Sequence, residues 1–589
     1  MRLEKLVALG SLVFGANVGQ IAVVQAQQPL SVVYPPIGHQ TTSAKIFLIG
    51  TSEVEGQVTV NGELIKRSPQ GHFAPSFPLN LGENSFILRQ NNQEIAIKVT
   101  RISNQPTVPK QLGFTPDSLV PQVNISRLVG ETICFQAVAL PQAEVTVNLL
   151  GKQIPLLPAN ESVGLPANSA VLVGANQPIT TATVGKYQGC QQFSRPGNYG
   201  KPTFIASLAG EQVTEVGLGE IKILNPGDLA AIEVTADQGV ARTGASTNYS
   251  RLTPLPQGTR ARVTGQEGDW LRLDYGGWLK TSETRVLVPS SQTNSIIRSI
   301  TSQQLERETK IIFPLEVAVP VSIQQGSDSI TLRLHNTIAQ TDTIRLDNDP
   351  LIERLDWQQS DRNTIDYTFH LKTDQQWGYD LRYEGTSLIL SLRHPPKLSI
   401  NRALPLQGIS LVLDPGHGGT ELGAKAPTGY PEKTINLLIA KLLKQELNKL
   451  GATVHLTRDS DLTLSLRERM NRIQELKPDL ALSIHYNALP DNGDAENTQG
   501  ISMFWYHPQS HSLAVALHDH LVSSLDRTPA GVFWNNLALT RPQIAPMVLL
   551  ELGFMINPWE FEWISDRTEQ EKLVNAIAQG IINWLQQQN

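Results

Sequence analysis

Residues 409–419 read ISLVLDPGHGG and residues 431–451 read PEKTINLLIAKLLKQELNKLG: a buried-type strand, a glycine-rich turn, then a helix. The first run is apolar but for Ser410 through Leu413, as expected of a strand covered on both faces. In the second, Ile435, Leu438, Ile439, Leu442 and Leu450 recur at helical spacing on one face, and Gly451 marks the stop. The same rhythm continues downstream. TVHLTR, LALSI, ISMFWY and MVLL read as strands, while SLRERMNRIQEL, HSLAVALHDHLVSSL and EQEKLVNAIAQGIINWL read as helices. Alternating strands and helices require a largely parallel sheet with helices on both faces, so 408–589 is predicted to be an α/β domain.

Upstream the pattern changes. His394-Pro395-Pro396 blocks both helix and ladder and reads as a linker, so the α/β unit is predicted to fold by itself. Before it, short alternating segments broken by Gly, Asn and Pro predict all-β modules. In 29–103, Val58 and Val60 followed by Asn61-Gly62 signal a hairpin, with Leu79, Leu81, Phe86 and Leu88 for a facing sheet; the pattern resembles an immunoglobulin-like module. Residues 119–225 are strand-like, of no nameable type, and hold both cysteines, Cys134 and Cys190. These two either pair, which would contribute about 4 kcal/mol by loop closure, or remain buried thiols.

Three α/β strands lead into ionisable residues: 409–413 into Asp414 and His417, 480–484 into His485, and 547–550 into Glu551. Ligands of open parallel sheets bind at the carboxyl ends of strands, so these groups share one rim. Glu432, directly after Pro431 at the helix start, can lean over it. Two imidazoles and a carboxylate with an open fourth position suit a catalytic zinc. Singly, each has an ordinary structural explanation, and dispersed ligands are a weaker signal than HExxH, which is absent. Together, several ionisable groups on one rim without a metal would be costly to bury. His455 reads as a mid-strand structural residue, and His507, His511, His518 and His520 as solvent-facing.

LVLDPGHGG, YPEKTINL, SLRERMNRIQELKPDLALSIHYNA and APMVLLELGFMINPWE stand in the order and approximate spacing of the zinc-dependent N-acetylmuramoyl-L-alanine amidases, which the segment from about Gly408 to Leu585 resembles. The resemblance implies that His417, Glu432 and His485 hold zinc and that Glu551 is the catalytic glutamate. It implies cleavage of the amide between N-acetylmuramic acid and L-alanine of peptidoglycan, for wall remodelling or daughter-cell separation. Arg467 and Asn487 match frequently seen neighbouring positions without a defined role; Tyr486 and Leu552 depart from the usual wording. The chain between His485 and Glu551 is too short for the inserted helix that blocks the site in some members. The alternatives are a zinc peptidase acting on stem peptides, and an inactive wall-binding scaffold. Residues 231–290, with Pro256-Gln257-Gly258 at a turn and Trp270 before Leu271 and Leu273, resemble a bacterial Src-homology-3-like barrel; Trp270 and Trp278 can equally be packing residues. Residues 295–393, with TKIIFPL, ITLRLHNT and SLILSLR, resemble the AMIN-type modules found upstream of wall amidases.

The whole chain has 589 residues, 40% hydrophobic and 17% charged, too many for one core and too apolar for disorder. A net charge of −6 offers no basic surface for nucleic acid. The basic start, the apolar stretch 6–24 and Val24-Gln25-Ala26 predict a signal peptide over 1–26, with periplasmic or otherwise extracytoplasmic protein and no stable membrane span after cleavage. Peptidoglycan is the expected partner; an activator protein is possible and unidentified.

Overall fold

The computed structural model describes residues 29–588 except 106, 160, 167–169, 172–175 and 289, so the expected signal peptide lies outside the described residues. Among the described residues no helix is long and apolar enough to cross a membrane.

Four strand-rich stretches precede the α/β unit. In the first, the nine-residue strands Gly82–Gln90 and Gln93–Arg101 form an antiparallel hairpin. Strands Thr59–Val60 and Glu63–Leu64 join it through Asn61 and Gly62, at φ 53° and 89°, as an Asn-Gly turn requires. Leu79, Phe86 and Leu88 are buried in its core with Val58 and Phe73, but Leu81 is exposed.

The next two stretches share a sheet. Strand Ile125–Leu128 pairs with Ile221–Leu224 on one side and Arg260–Glu267 on the other, so one eight-stranded sheet runs across the 225/231 boundary. Cys134 and Cys190 face each other on neighbouring strands and form a disulfide. Trp270 and Trp278 are buried, with Arg242 and Lys280 over the first ring and Arg127 and Arg272 over the second, so both serve as packing residues. The fourth stretch packs a five-stranded sheet on a four-stranded one around Ile311, Phe313, Leu332, Phe369 and Leu390.

The α/β unit contains β1 (Ser410–Pro415), α1 (Glu432–Lys449), β2 (Thr453–Leu456), α2 (Leu466–Leu476), β3 (Leu480–Asn487), β4 (Ile501–Trp505), α3 (His511–Leu525), β5 (Pro529–Trp534), β6 (Met547–Phe554), α4 (Pro558–Ser565) and α5 (Arg567–Gln587). The sheet order is β2-β1-β3-β6-β4-β5. All neighbours are parallel except β4 with β6, so the sheet is mixed with a parallel centre. Leu411, Val412 and Leu413 of β1 are all fully buried because α1 and α5 cover one face and α2 the other, which explains the unbroken apolar run. On α1 the inward row includes Asn436, Ala440, Leu443 and Leu447 beside Ile435 and Ile439; Leu438 and Leu442 lie at its margin. The histidines expected to face solvent divide. His511 is exposed, but His518 is buried with Leu513, Ala514, Leu517 and Leu521 on the inward side of α3, and His507 bonds to Gln325 and to the Arg541 carbonyl.

Candidate active site

The turn after β1 is held from beneath by two buried guanidinium groups. Arg469 of α2 donates to Asp414 Oδ1 and the Pro415 carbonyl, both at 2.8 Å, and to the His417 carbonyl at 2.5 Å. Arg458 donates to the carbonyls of Pro415 at 2.9 Å and of Gly416 and Lys433 at 2.8 Å. Asp414 also accepts from the hydroxyls of Thr457 and Ser483. So fixed, the backbone takes φ 59° at His417, a left-handed conformation uncommon for a non-glycine residue, and turns the imidazole back over the sheet. A Cβ at Gly416 would run into the His485 ring, and one at Gly423 into the Glu432 carboxylate and the His417 ring. Both positions therefore need glycine for close approach.

His417, Glu432 and His485 meet above the carboxyl ends of β1 and β3. Glu432, 4% exposed, bridges the imidazoles, with Oε2 3.1 Å from His417 Nε2 and Oε1 3.1 Å from His485 Nδ1. One ligand atom from each residue lies within 4.8 Å of the others. The carboxylate is oriented by the Ala424 amide at 2.8 Å, Asn436 Nδ2 at 3.0 Å and the Tyr486 amide at 3.1 Å. Burial opposes charge on Glu432, yet its hydrogen bonds to both histidines win and hold its pKa well below the usual carboxylate range. Burial likewise opposes charge on His417, but the bond to Glu432 and its negative charge raise the imidazole pKa.

Glu551 of β6 stands beside His485 of β3 in the parallel register and opposite Ser502 of β4. Its Oε2 is buried without a hydrogen-bond partner. Burial first, then the charge of Glu432, pushes its pKa well above the ordinary value. The structure thus brings all four expected residues to one rim.

Arg467 is exposed on α2, whereas Arg469, two residues on, reaches under the site. Its signal was present: Ser465 and Glu468 form a capping box that fixes the start of α2, and Arg469 then shares the inward face with Ile473, four residues later. Asn487 is buried and accepts from the Ala488 amide at 2.9 Å. Tyr486 and Leu552 are both buried, and neither belongs to the His417, Glu432 and His485 cluster.

Residues 411–583 match the family Amidase_3, N-acetylmuramoyl-L-alanine amidase. Among curated relatives, a probable cell wall amidase LytH of Staphylococcus epidermidis is 34% identical over 219 residues, covering 37% of this chain and 69% of that protein. Its counterpart in Staphylococcus aureus is 38% identical over 179 residues, covering 30% of this chain and 58% of that protein. Among solved structures, the catalytic domain of CwlV, an N-acetylmuramoyl-L-alanine amidase from Bacillus (Paenibacillus) polymyxa, is 29% identical with a TM-score of 0.29, covering 30% of this chain and 98% of that one. AmiC2 of Nostoc punctiforme, also an N-acetylmuramoyl-L-alanine amidase, is 27% identical with a TM-score of 0.29, covering 30% and 97%. With the family match falling on the very segment that assembles His417, Glu432, His485 and Glu551, the chain belongs to the N-acetylmuramoyl-L-alanine amidases of the cell wall.

Proposed function

We propose that the protein is an exported, zinc-dependent amidase that hydrolyses the amide joining the lactyl group of N-acetylmuramic acid to L-alanine in peptidoglycan. The observation that carries this reading is the convergence of His417, Glu432 and His485 on one point, with a buried, unpartnered carboxylate oxygen of Glu551 beside it. Nitrogen, oxygen and nitrogen donors suit zinc, and the glycines at 416 and 423 leave the cradle free of side chains. His417, Glu432 and His485 would hold the ion; when bound there, zinc supplies Lewis acidity toward a water molecule and the scissile carbonyl.

The remaining work falls to the chain itself. Glu551 accepts the proton of the attacking water as the C–O bond forms and then delivers it to the alanine nitrogen as the C–N bond breaks, so no covalent enzyme intermediate is needed. Asn436 and the amides of Ala424 and Tyr486 keep the Glu432 carboxylate turned toward the imidazoles. Arg469 and Arg458 keep the His417 backbone in its left-handed turn. The β regions 29–103, 119–225, 231–290 and 295–393, read as immunoglobulin-like, unassigned, Src-homology-3-like and AMIN-like, would hold the enzyme to the wall. Removal of 1–26 on export would place it there.

Metal exchange tests the reading. Dialysis against a chelator should abolish hydrolysis, and about one zinc per chain should restore it. Full activity in protein that contains no metal by elemental analysis would overturn it.

A further inference from the structure

The first β region does not hang free of the α/β unit. Phe47, Ile49 and Ala74 form a single buried cluster with Ala495, Phe554 and Ile556, and Tyr34, Ala424 and Leu489 pack against it. Polar contacts frame this patch. Tyr34 donates its hydroxyl to Asp491 Oδ1, and His39 Nε2 lies 3.0 Å from Asp491 Oδ2. Lys66 pairs with Glu496 at 3.3 Å, and the Gln70 amide donates to Glu562 at 2.7 Å.

What this face touches is the support of the proposed metal site. Ala424 holds Glu432 from both ends: its amide donates to Oε2 at 2.8 Å, and its carbonyl accepts from the Glu432 amide at 2.9 Å. Phe554 pairs with Asn487 across β3 and β6, three residues beyond Glu551 and two beyond His485 respectively. Asp491 and Ala495 lie in the segment between β3 and β4, shortly after His485. Neither the segment 423–431 nor the segment 488–500 contains a helix or a strand of its own. Their positions depend on what packs against them.

We infer that the first β region is a working part of the active centre, and that Tyr34, through the cluster it shares with Ala424 and its bond to Asp491, is a positioning residue for Glu432. The inference rests on the reading of His417, Glu432 and His485 as one metal site. Partners that orient a metal ligand typically contribute 10- to 100-fold in metal affinity, so a loosened Ala424 should be felt in zinc binding as well as in turnover.

The test uses the full chain. Zinc affinity is measured by competition with a chromophoric chelator, and kcat and KM are measured on a soluble muropeptide. Tyr34→Ala should weaken zinc binding about 10-fold and lower kcat more than it changes KM. Tyr34→Phe, which keeps the ring stacked on Phe47 in the cluster but loses the bond to Asp491, should recover only part of the loss. Asp491→Ala, which leaves the apolar cluster whole, supplies an independent measurement should Tyr34→Ala not fold. Val147→Ala, in the core of the second β region, a cluster that Tyr34 does not join, should lower melting temperature without altering zinc affinity. Wild-type affinity and kcat in both Tyr34→Ala and Asp491→Ala would overturn the inference. So would a rise in activity, which would make this face an autoinhibitory cover. A wild-type chain that binds no zinc would instead defeat the metal reading itself, and the inference with it.

Discussion

Arg469→Met removes the charge that holds the His417 turn while keeping much of the side-chain volume. Arg469 and Asp414 are 3% and 1% exposed, so the substitution strands a carboxylate in the interior with only the Thr457 and Ser483 hydroxyls as partners. Breaking a buried pair in this way typically costs about 3–5 kcal/mol. The bonds to the Pro415 and His417 carbonyls are lost too, each worth about 1 kcal/mol or more. A total of about 5–7 kcal/mol corresponds to a fall of roughly 10–28 °C in the melting transition of a domain this size. Calorimetry of the full chain should show the transition of the α/β unit moved down by that amount.

The companion Asp414→Asn, combined with Arg469→Met, separates charge from packing. If the pair itself is responsible, the double variant should be less destabilised than the sum of the two single ones by about 2 kcal/mol or more. Zinc content should fall in Arg469→Met even below its melting temperature, because the His417 carbonyl has lost its anchor. A transition displaced by less than about 2 °C, with zinc retained, would refute the claim that this buried pair fixes the turn.

Three further outcomes follow from the same structure. His417→Ala and His485→Ala should lose zinc and activity together, whereas Glu551→Gln should keep zinc and lose about 10²- to 10⁴-fold in kcat; loss of zinc in Glu551→Gln with zinc retained in Glu432→Gln would reverse the two glutamates. The exported protein should begin near Gln27 by amino-terminal sequencing, and cytosolic protein beginning at Met1 would contradict the signal peptide. Burial, aided by the charge of Arg333, lowers the His335 pKa to about 4, so the fold favours its neutral form. Its contribution to stability is complete above the ordinary value of 6.5 and is lost progressively as pH falls from there to about 4; His335→Gln should flatten the melting-temperature profile in that window.

Much of the α/β unit was legible because its signals are local. Continuous apolar runs mark β1, β3 and β6 as covered on both faces, and strand ends plus a helix start suffice to bring His417, His485 and Glu432 to one rim. Two elements escaped. β5 is a short edge strand beginning at Pro529, and α4 follows an Asn557-Pro558 cap that was a readable start signal. His518 reads as outward because its helix looks polar, although Leu513, Ala514, Leu517 and Leu521 put it on the inward stripe. The contact between Tyr34 and Asp491 had no local trace: 457 residues separate them, and only the folded chain brings them together.

Digestion of purified sacculi, with the released material resolved by mass spectrometry, bears most directly on the reaction. The protein should release intact stem peptides with a free L-alanine amino terminus and leave glycan strands bearing unsubstituted lactyl carboxylates. Products cut within the stem peptide, with the lactyl-alanine amide intact, would contradict it.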